Sequence, residues 1–351
     1  MLQMKGAKKE GGRLQILDLV RIFAALSVVL YHYLYRGWVS GGLSDVDFGQ
    51  YNGTFKYGYL GVQLFFIISG FLVTMSSEGR SCGQFFLGRV ARLYPAYWFC
   101  LLVTALFIYL LDDGRFYISA LDMLANLTMI SKLFGVPFVD GAYWTLIYEL
   151  VFYFWIFVLL LTKACSLLKL LGWLLLFSSI GFALDYSGYV SILYGGAFIC
   201  YFALGVCFYE YYKGDRSFLL FSIFIVSVAL MAIQTVDQAV RKNANIGSDL
   251  DPLVCLFIVG GFVAFFALLS LGLFDRFRFR YAALLGGLSY PCYLLHQNVG
   301  YIIFNRFNGV IDDASLLVVV LLFVLALSYV VFKFIEPFLV NRIMLLGRKV
   351  L

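Results

Sequence analysis

Charge is scarce in this chain. Of 351 residues only 13% are charged, 63% are hydrophobic, and the mean hydropathy is +0.92. A soluble domain is typically about 45–50% apolar and about 25% charged, so the deficit excludes a soluble globular protein and indicates an integral membrane protein. Histidine is scarcer still, with two copies. The seven cysteines (82, 100, 165, 200, 207, 255 and 292) have neither metal-ligand spacing nor the density of a disulfide scaffold. They read as small buried hydrophobes, and no metal is expected. There is no internal repeat and no low-complexity tract. The longest gaps between apolar runs, around 36–58 and 112–142, are too short for a separate soluble domain.

What is present is a succession of long apolar runs. A span needs about 20 mostly apolar residues. On that basis the fold is all-α and polytopic, with ten transmembrane helices expected at 15–35, 59–77, 92–111, 143–162, 168–185, 190–211, 217–235, 253–273, 282–304 and 315–335. The runs at 168–185 and 217–235 are apolar throughout and suit contact with lipid or with neighbouring helices. The whole chain, 1–351, reads as one membrane domain with tails at 1–13 and 336–351. The net charge of +6 would suit an acidic partner, but in a membrane protein the placement of basic residues says more than their sum. With both termini in the cytoplasm, eighteen of the 26 Lys and Arg residues fall on the cytoplasmic side and seven on the other. That asymmetry favours this orientation. The first run is too long and too charged for a signal peptide, and lacks a small-residue cleavage site.

The remaining signal lies in the polar residues inside the apolar runs, because a charge at the centre of a span costs about 2.5–3.5 kcal/mol on insertion scales. LDLVRIFAALSVVLYHY, residues 17–33, carries Asp18, Arg21 and His32. Eleven helical steps fall about 20° beyond three full turns, so Arg21 and His32 share a face, about 16 Å apart along the axis. Asp18, three residues before Arg21, is its natural local ion partner. Arg21 then lies in the cytoplasmic half and His32 towards the outer end. A plainer reading makes Asp18–Arg21 a structural pair and His32 an interfacial residue among tyrosines.

The other histidine, His296 in LSYPCYLLHQ, and Glu149 in AYWTLIYELVFYF both fall in the outer half. A histidine and a carboxylate at similar depth could make a base with an orienting partner, although three unrelated interhelical contacts would give the same pattern. On the cytoplasmic side FFLGRVARLYPAYW sets Arg89 and Arg92 three apart on one face. With Arg21 these could form a phosphate site, since the guanidinium fork suits phosphate oxygens. Positive-inside anchoring is the plain alternative. Gly61, Ser69 and Gly70 in YLGVQLFFIISGFLVT suit close helix packing.

Taken in order, these segments resemble the acyltransferase-3 family of membrane O-acyltransferases. LDLVRIFAALSVVLYHY is similar to its opening helix, with Arg21, ten intervening residues and His32. GVQLFFIISGFL is similar to its glycine-rich second helix, FLGRVARLYPAYW to its paired-arginine motif, WTLIYELVFYF to its tryptophan–glutamate helix, and LSYPCYLLH to its C-terminal histidine segment. The resemblance covers about residues 14–340. Gln63, Thr145 and Gln297 depart from the pattern, standing where an acidic residue, a serine and an apolar residue are usual. The 351 residues hold no counterpart of the fused extracytoplasmic esterase-like domain of some members.

The resemblance implies transfer of an acyl group, most often acetyl, from cytoplasmic acyl-CoA to a hydroxyl of an exported or cell-surface carbohydrate or lipid-linked glycan. Exopolysaccharide and lipopolysaccharide are the expected kinds of acceptor, and the bacterial inner membrane is the expected location. It further implies His32 as general base and Arg21, Arg89 and Arg92 as donor-binding residues. Glu149 would orient the imidazole or contact the sugar, and His296 would stabilise the oxyanion or position the acceptor. Beyond acyl-CoA and the glycan, the expected partners are membrane lipids, a second copy of the chain or polysaccharide-assembly proteins, and no nucleic acid. The rival class is a transporter of an anionic or proton-coupled substrate, since intramembrane Arg, His and Glu also mark transport pathways. Against it, no two-fold repeat or pair of broken helices is found.

Overall fold

A computed structural model describes residues 14–186 and 188–347. The expected tail at 1–13 and the last four residues lie outside the described residues. Ten long helices follow one another: α1 Gln15–Val39, α2 Gly53–Ser77, α3 Cys82–Leu111, α4 Gly141–Thr162, α5 Leu167–Ala183, α6 Tyr189–Lys213, α7 Phe218–Ile246, α8 Pro252–Ser270, α9 Ala282–Phe307 and α10 Asp313–Leu346. No β-strand occurs among the described residues, only an isolated bridge between Asn308 and Ile311. The chain is an all-α polytopic membrane protein. Eight of the ten are long and apolar enough to cross a membrane; α5 is shorter and α9 is too polar.

Each expected run is a helix, but several edges move, and the reasons are local. The third helix starts at Cys82 rather than 92, where a Ser81–Gln84 capping box satisfies the first free N–H groups. Arg89 and Arg92 therefore sit two to three turns inside it. The seventh runs on to Ile246, and Gly247, at φ 66°, ends it in the left-handed region that glycine tolerates. Residues Glu336–Gly347, expected as a tail, continue α10 as a helix that packs on α3. Aspartate caps start α8 (Asp251) and α10 (Asp312), and serine caps start α5 (Ser166) and α7 (Ser217).

Two contacts organise the bundle. Helix α2 lies against α6 through glycines: a Cβ on Gly70 would stand 2.1 Å from the carbonyl oxygen of Phe202, and one on Gly205 would stand 2.1 Å from that of Ile67. Such close approach maximises van der Waals contact where lipid supplies no hydrophobic drive. Helix α1 lies between α2 and α9, and α9 is enclosed by α1, α3 and α10. Enclosure explains the low hydropathy of α9: from Gly286 to Ile302 every residue is buried, including Ser289, His296, Gln297 and Asn298. A helix shielded from lipid can carry polar groups if neighbouring helices satisfy them. The apolar faces of α5, α7 and α8 do the opposite, presenting Phe177, Ile225 and Phe257 outward.

Gly70→Ala and Gly205→Ala are expected to force α2 and α6 apart, each costing on the order of 1–3 kcal/mol as overpacking. Thermal unfolding of the purified protein checks this, and an unchanged midpoint for both would refute the contact.

Candidate active site

Just as α1 approaches its end, its backbone widens from an α-helix to a π-helix over His32–Arg36. Such single-turn bulges re-aim side chains, and they recur at functional sites. Here the bulge starts on the histidine. The His32 ring meets that of His296 from α9, with 3.1 Å between His32 Nδ1 and His296 Nε2. Two tyrosines cross the same seam in opposite directions. Tyr33 donates its hydroxyl to the carbonyl of His296 (2.7 Å), and Tyr301 donates to the carbonyl of His32 (3.2 Å). Gly300 lets the Tyr33 ring lie against α9, since a Cβ there would stand 2.4 Å from it.

The hydrogen bonds admit one arrangement of protons. His296 Nδ1 lies 2.7 Å from the carbonyl of Tyr293 and His32 Nδ1 lies 2.9 Å from that of Val28, and a carbonyl only accepts. Both Nδ1 atoms therefore carry hydrogen, and the single His32 Nδ1–H is shared between two acceptors, the Val28 carbonyl and His296 Nε2. His32 Nε2 is left with its lone pair and no protein partner among the described residues, on a half-buried ring. An imidazole with a free Nε2 and an anchored Nδ1–H is a base held in one tautomer.

Beyond His296, α9 is fixed by the loop before α4. Asp140, fully buried, accepts from the backbone N–H of Asn298 (2.9 Å) and of Ala142 (2.8 Å). Burial pushes its carboxyl up to about 7, opposed by those two N–H groups. The Asn298 side chain returns a bond to the carbonyl of Val139 (2.9 Å).

The second cluster lies towards the N-terminal end of α1. Arg21, Arg89 and Arg92 line one cavity of about 130 Å³, together with Ser69, Glu149 and Tyr153. Ser69 donates to Glu149 (2.9 Å), and so does Tyr153. Arg89 bonds Ser76 (3.1 Å) while its Nε is buried without a partner, and its guanidinium lies over the rings of Phe85 and Tyr153. Arg92 faces Glu336 of α10 at 3.7 Å. Three guanidiniums, the carboxylates of Glu149 and Glu336 and an orphaned N–H thus meet in and beside one cavity, and guanidiniums are the side chains best suited to bind an anion. Asp18 is buried against Gly286.

The six singled-out residues thus fall into two groups. Glu149 belongs with the arginines, held by Ser69 and Tyr153, and not with either imidazole; the partner of His32 is the other histidine. Tyr293 joins the groups: its ring lines the cavity and lies 5.5 Å from that of His296, and its hydroxyl bonds Thr145 (2.9 Å). Tyr33, Tyr301, Tyr293, Asp140 and Glu336 were not singled out by sequence. Among 25 tyrosines, nothing in the local pattern marks the three that hold the site.

Comparison with known proteins follows this geometry. The family described as an acyltransferase domain, acyltransferase-3, matches residues 14–333. Nodulation protein 10 of Rhizobium leguminosarum bv. viciae is 34% identical over 161 residues, covering 39% of this chain and 41% of that protein. A Bacillus subtilis protein named peptidoglycan O-acetyltransferase YrhL is 28% identical over 123 residues, covering 33% of this chain and 17% of that protein. The matches thus span less than half the length of either relative. No solved structure matches the chain.

With only two histidines in the chain, ¹⁵N-histidine solid-state NMR of the protein in bilayers should show both rings protonated at Nδ1. The opposite tautomer at His32 would break the arrangement. Tyr33→Phe and Tyr301→Phe should each lower stability by about 0.5–1.5 kcal/mol and leave a mixed tautomer population, read in the same spectra.

Proposed function

The chain belongs to the acyltransferase-3 family, and from that premise we propose that it is a membrane O-acyltransferase carrying an acyl group, in the simplest case acetyl, from acyl-CoA to a carbohydrate hydroxyl. The reading rests on one observation above the rest: an arginine-lined cavity and a tautomer-fixed histidine pair lie along the same two helices, α1 and α9, with Tyr293 between them. An anionic, cytoplasmic donor and an exported acceptor call for such an arrangement, because neither substrate crosses the bilayer. The orientation proposed puts the arginine cavity on the cytoplasmic side of the bacterial inner membrane and His32 towards the outside, in keeping with the bias of basic residues.

The donor's phosphates bind Arg21, Arg89 and Arg92, for which the unpartnered Arg89 Nε supplies a ready donor. The pantetheine arm then reaches past Tyr293 and presents the thioester to His32. His32 Nε2 takes the proton of the acceptor hydroxyl as its oxygen attacks the thioester carbonyl carbon. Collapse of the tetrahedral intermediate breaks the C–S bond, and the proton on Nε2 passes to the departing CoA thiolate, leaving an ester on the carbohydrate. His296 holds the Nδ1–H throughout and stabilises the imidazolium, as an orienting group does in other base-catalysed acyl transfers. Glu149 positions Ser69 and Tyr153 beside the arginines. The carrier alternative finds no comparable support, since the matching family is named for acyl transfer.

His32→Ala is expected to abolish CoA release from acetyl-CoA in the presence of acceptor while the protein remains folded; full activity in a folded variant would sink the base assignment. Arg89→Ala and Arg92→Ala should weaken acyl-CoA binding by about tenfold each, in the range of a lost charge-assisted hydrogen bond, and acceptor binding much less. The masses of surface glycans from cells with the active protein and with His32→Ala should differ by one acyl group, which identifies both donor and acceptor.

A further inference from the structure

The face of the protein around His32 carries a charge pattern that proton transfer does not require. Of the cations on this face, Lys56 pairs with Asp249 (2.7 Å), Arg115 pairs with Asp45 and Asp113, and Arg241 pairs with Asp185 (2.7 Å) and Asp237 (2.8 Å). Lys132 and Arg306 are exposed to solvent. Arg36 and Lys242 are different. Both are half-buried, and neither has a carboxylate partner among the described residues.

These two converge on the histidine. Arg36 is the last residue of the π-helical turn that His32 begins, and its guanidinium donates to Ser40. Lys242, from α7, holds its ammonium 4.6 Å from the centroid of Tyr59 and 5.8 Å from that of Tyr31, whose ring lies 5.1 Å from that of His32. Two like charges are thus brought to the same Tyr31–His32 segment. Partly desolvated like charges that face one another are costly unless an anion joins them, and the tyrosine faces offset only part of that cost. Asp249, which meets the neighbouring Tyr35, is already held by Lys56 and by that tyrosine's hydroxyl.

We propose that Arg36 and Lys242 form the anion-recognition part of the acceptor site, and that the acceptor carries a carboxylate or phosphate close to the hydroxyl that is acylated. This rests on the acyl-transfer reading for the word acceptor, but the binding site itself does not depend on turnover. An anionic glycan would dock its charge between the two cations and thereby bring a neighbouring hydroxyl to His32 Nε2. The attraction works in a half-buried setting, where salt screens it less than at an open surface. It also discriminates, because a neutral sugar leaves both cations unpaired.

The test compares binding of octyl glucoside, octyl glucuronide and octyl glucoside 6-phosphate to the full chain in phosphatidylcholine nanodiscs, for wild type and for His32→Ala. At least one anionic glycoside is expected to bind about tenfold more tightly than the neutral one in both proteins, and which of them does so distinguishes carboxylate from phosphate. Lys242→Met and Arg36→Gln should each remove most of that preference, whereas Lys132→Met, which deletes a charge elsewhere on the same face, should keep it. Equal binding of all three glycosides overturns the proposal and leaves the two cations to lipid headgroups. A preference that survives both substitutions overturns the assignment to these residues. If Lys242→Met instead slows turnover of neutral and anionic acceptors equally without changing their affinities, the lysine serves the oxyanion and the proposal fails. Should His32→Ala retain both activity and the preference, the base assignment falls while the anion site stands.

Discussion

One hydrogen bond between two rings, His32 Nδ1–H to His296 Nε2, sets what the rest of the structure must supply. It joins side chains 264 positions apart in sequence, so it exists only if α1 and α9 are held in a fixed register. A slip of one residue would turn either ring through about 100° and separate them. Register is held from both sides by Tyr33 and Tyr301, each donating to the carbonyl of the other helix's histidine, and beyond them by Asp140 on Asn298. The π-turn at His32–Arg36 gives α1 the local widening that aims the ring at its partner.

That requirement explains the unequal character of the helices. Polar atoms in a bilayer must find partners inside the protein. Helix α9 carries them and is enclosed, while α5, α7 and α8 spend their apolar surface on the outside. The tight glycine contact of α2 with α6 braces the side of α2 away from α1, leaving Ser69 on the cavity wall to meet Glu149. Tyr293 links the two groups, since it lines the arginine cavity and its ring lies 5.5 Å from that of His296. Charge is distributed unevenly: three guanidiniums line the cavity with Glu149, and Glu336 faces Arg92, whereas Arg36 and Lys242 have no carboxylate partner among the described residues.

Much of this was legible in the sequence where the physics is local. The ten helices could be read because apolar length is a property of a contiguous segment. Their ends were harder where a cap sits outside the apolar run, as Ser81 does eleven residues before the expected start of α3. Helix α10 likewise outlasts its apolar stretch, because its last turns pack on α3 rather than in lipid. The grouping of Arg89 with Arg92 follows from spacing alone, and both line the cavity with Arg21. The allegiance of Glu149 did not follow. Depth along a helix said it could serve a histidine, but its rotation about the axis, set by packing, turns it to Ser69, Tyr153 and the arginines.

By itself, then, the sequence determined the class of protein, the places of the long helices, and the single stripe on α1 that carries Arg21 and His32, because composition and helical periodicity act within one segment. Tertiary structure alone decided that His296 would be the partner of His32, that three of many tyrosines would hold the site, and that Lys242 would arrive beside it from α7. Those outcomes depend on where helices stand relative to one another in the plane of the membrane. That placement is a sum of many weak contacts between distant segments, and no single segment encodes it.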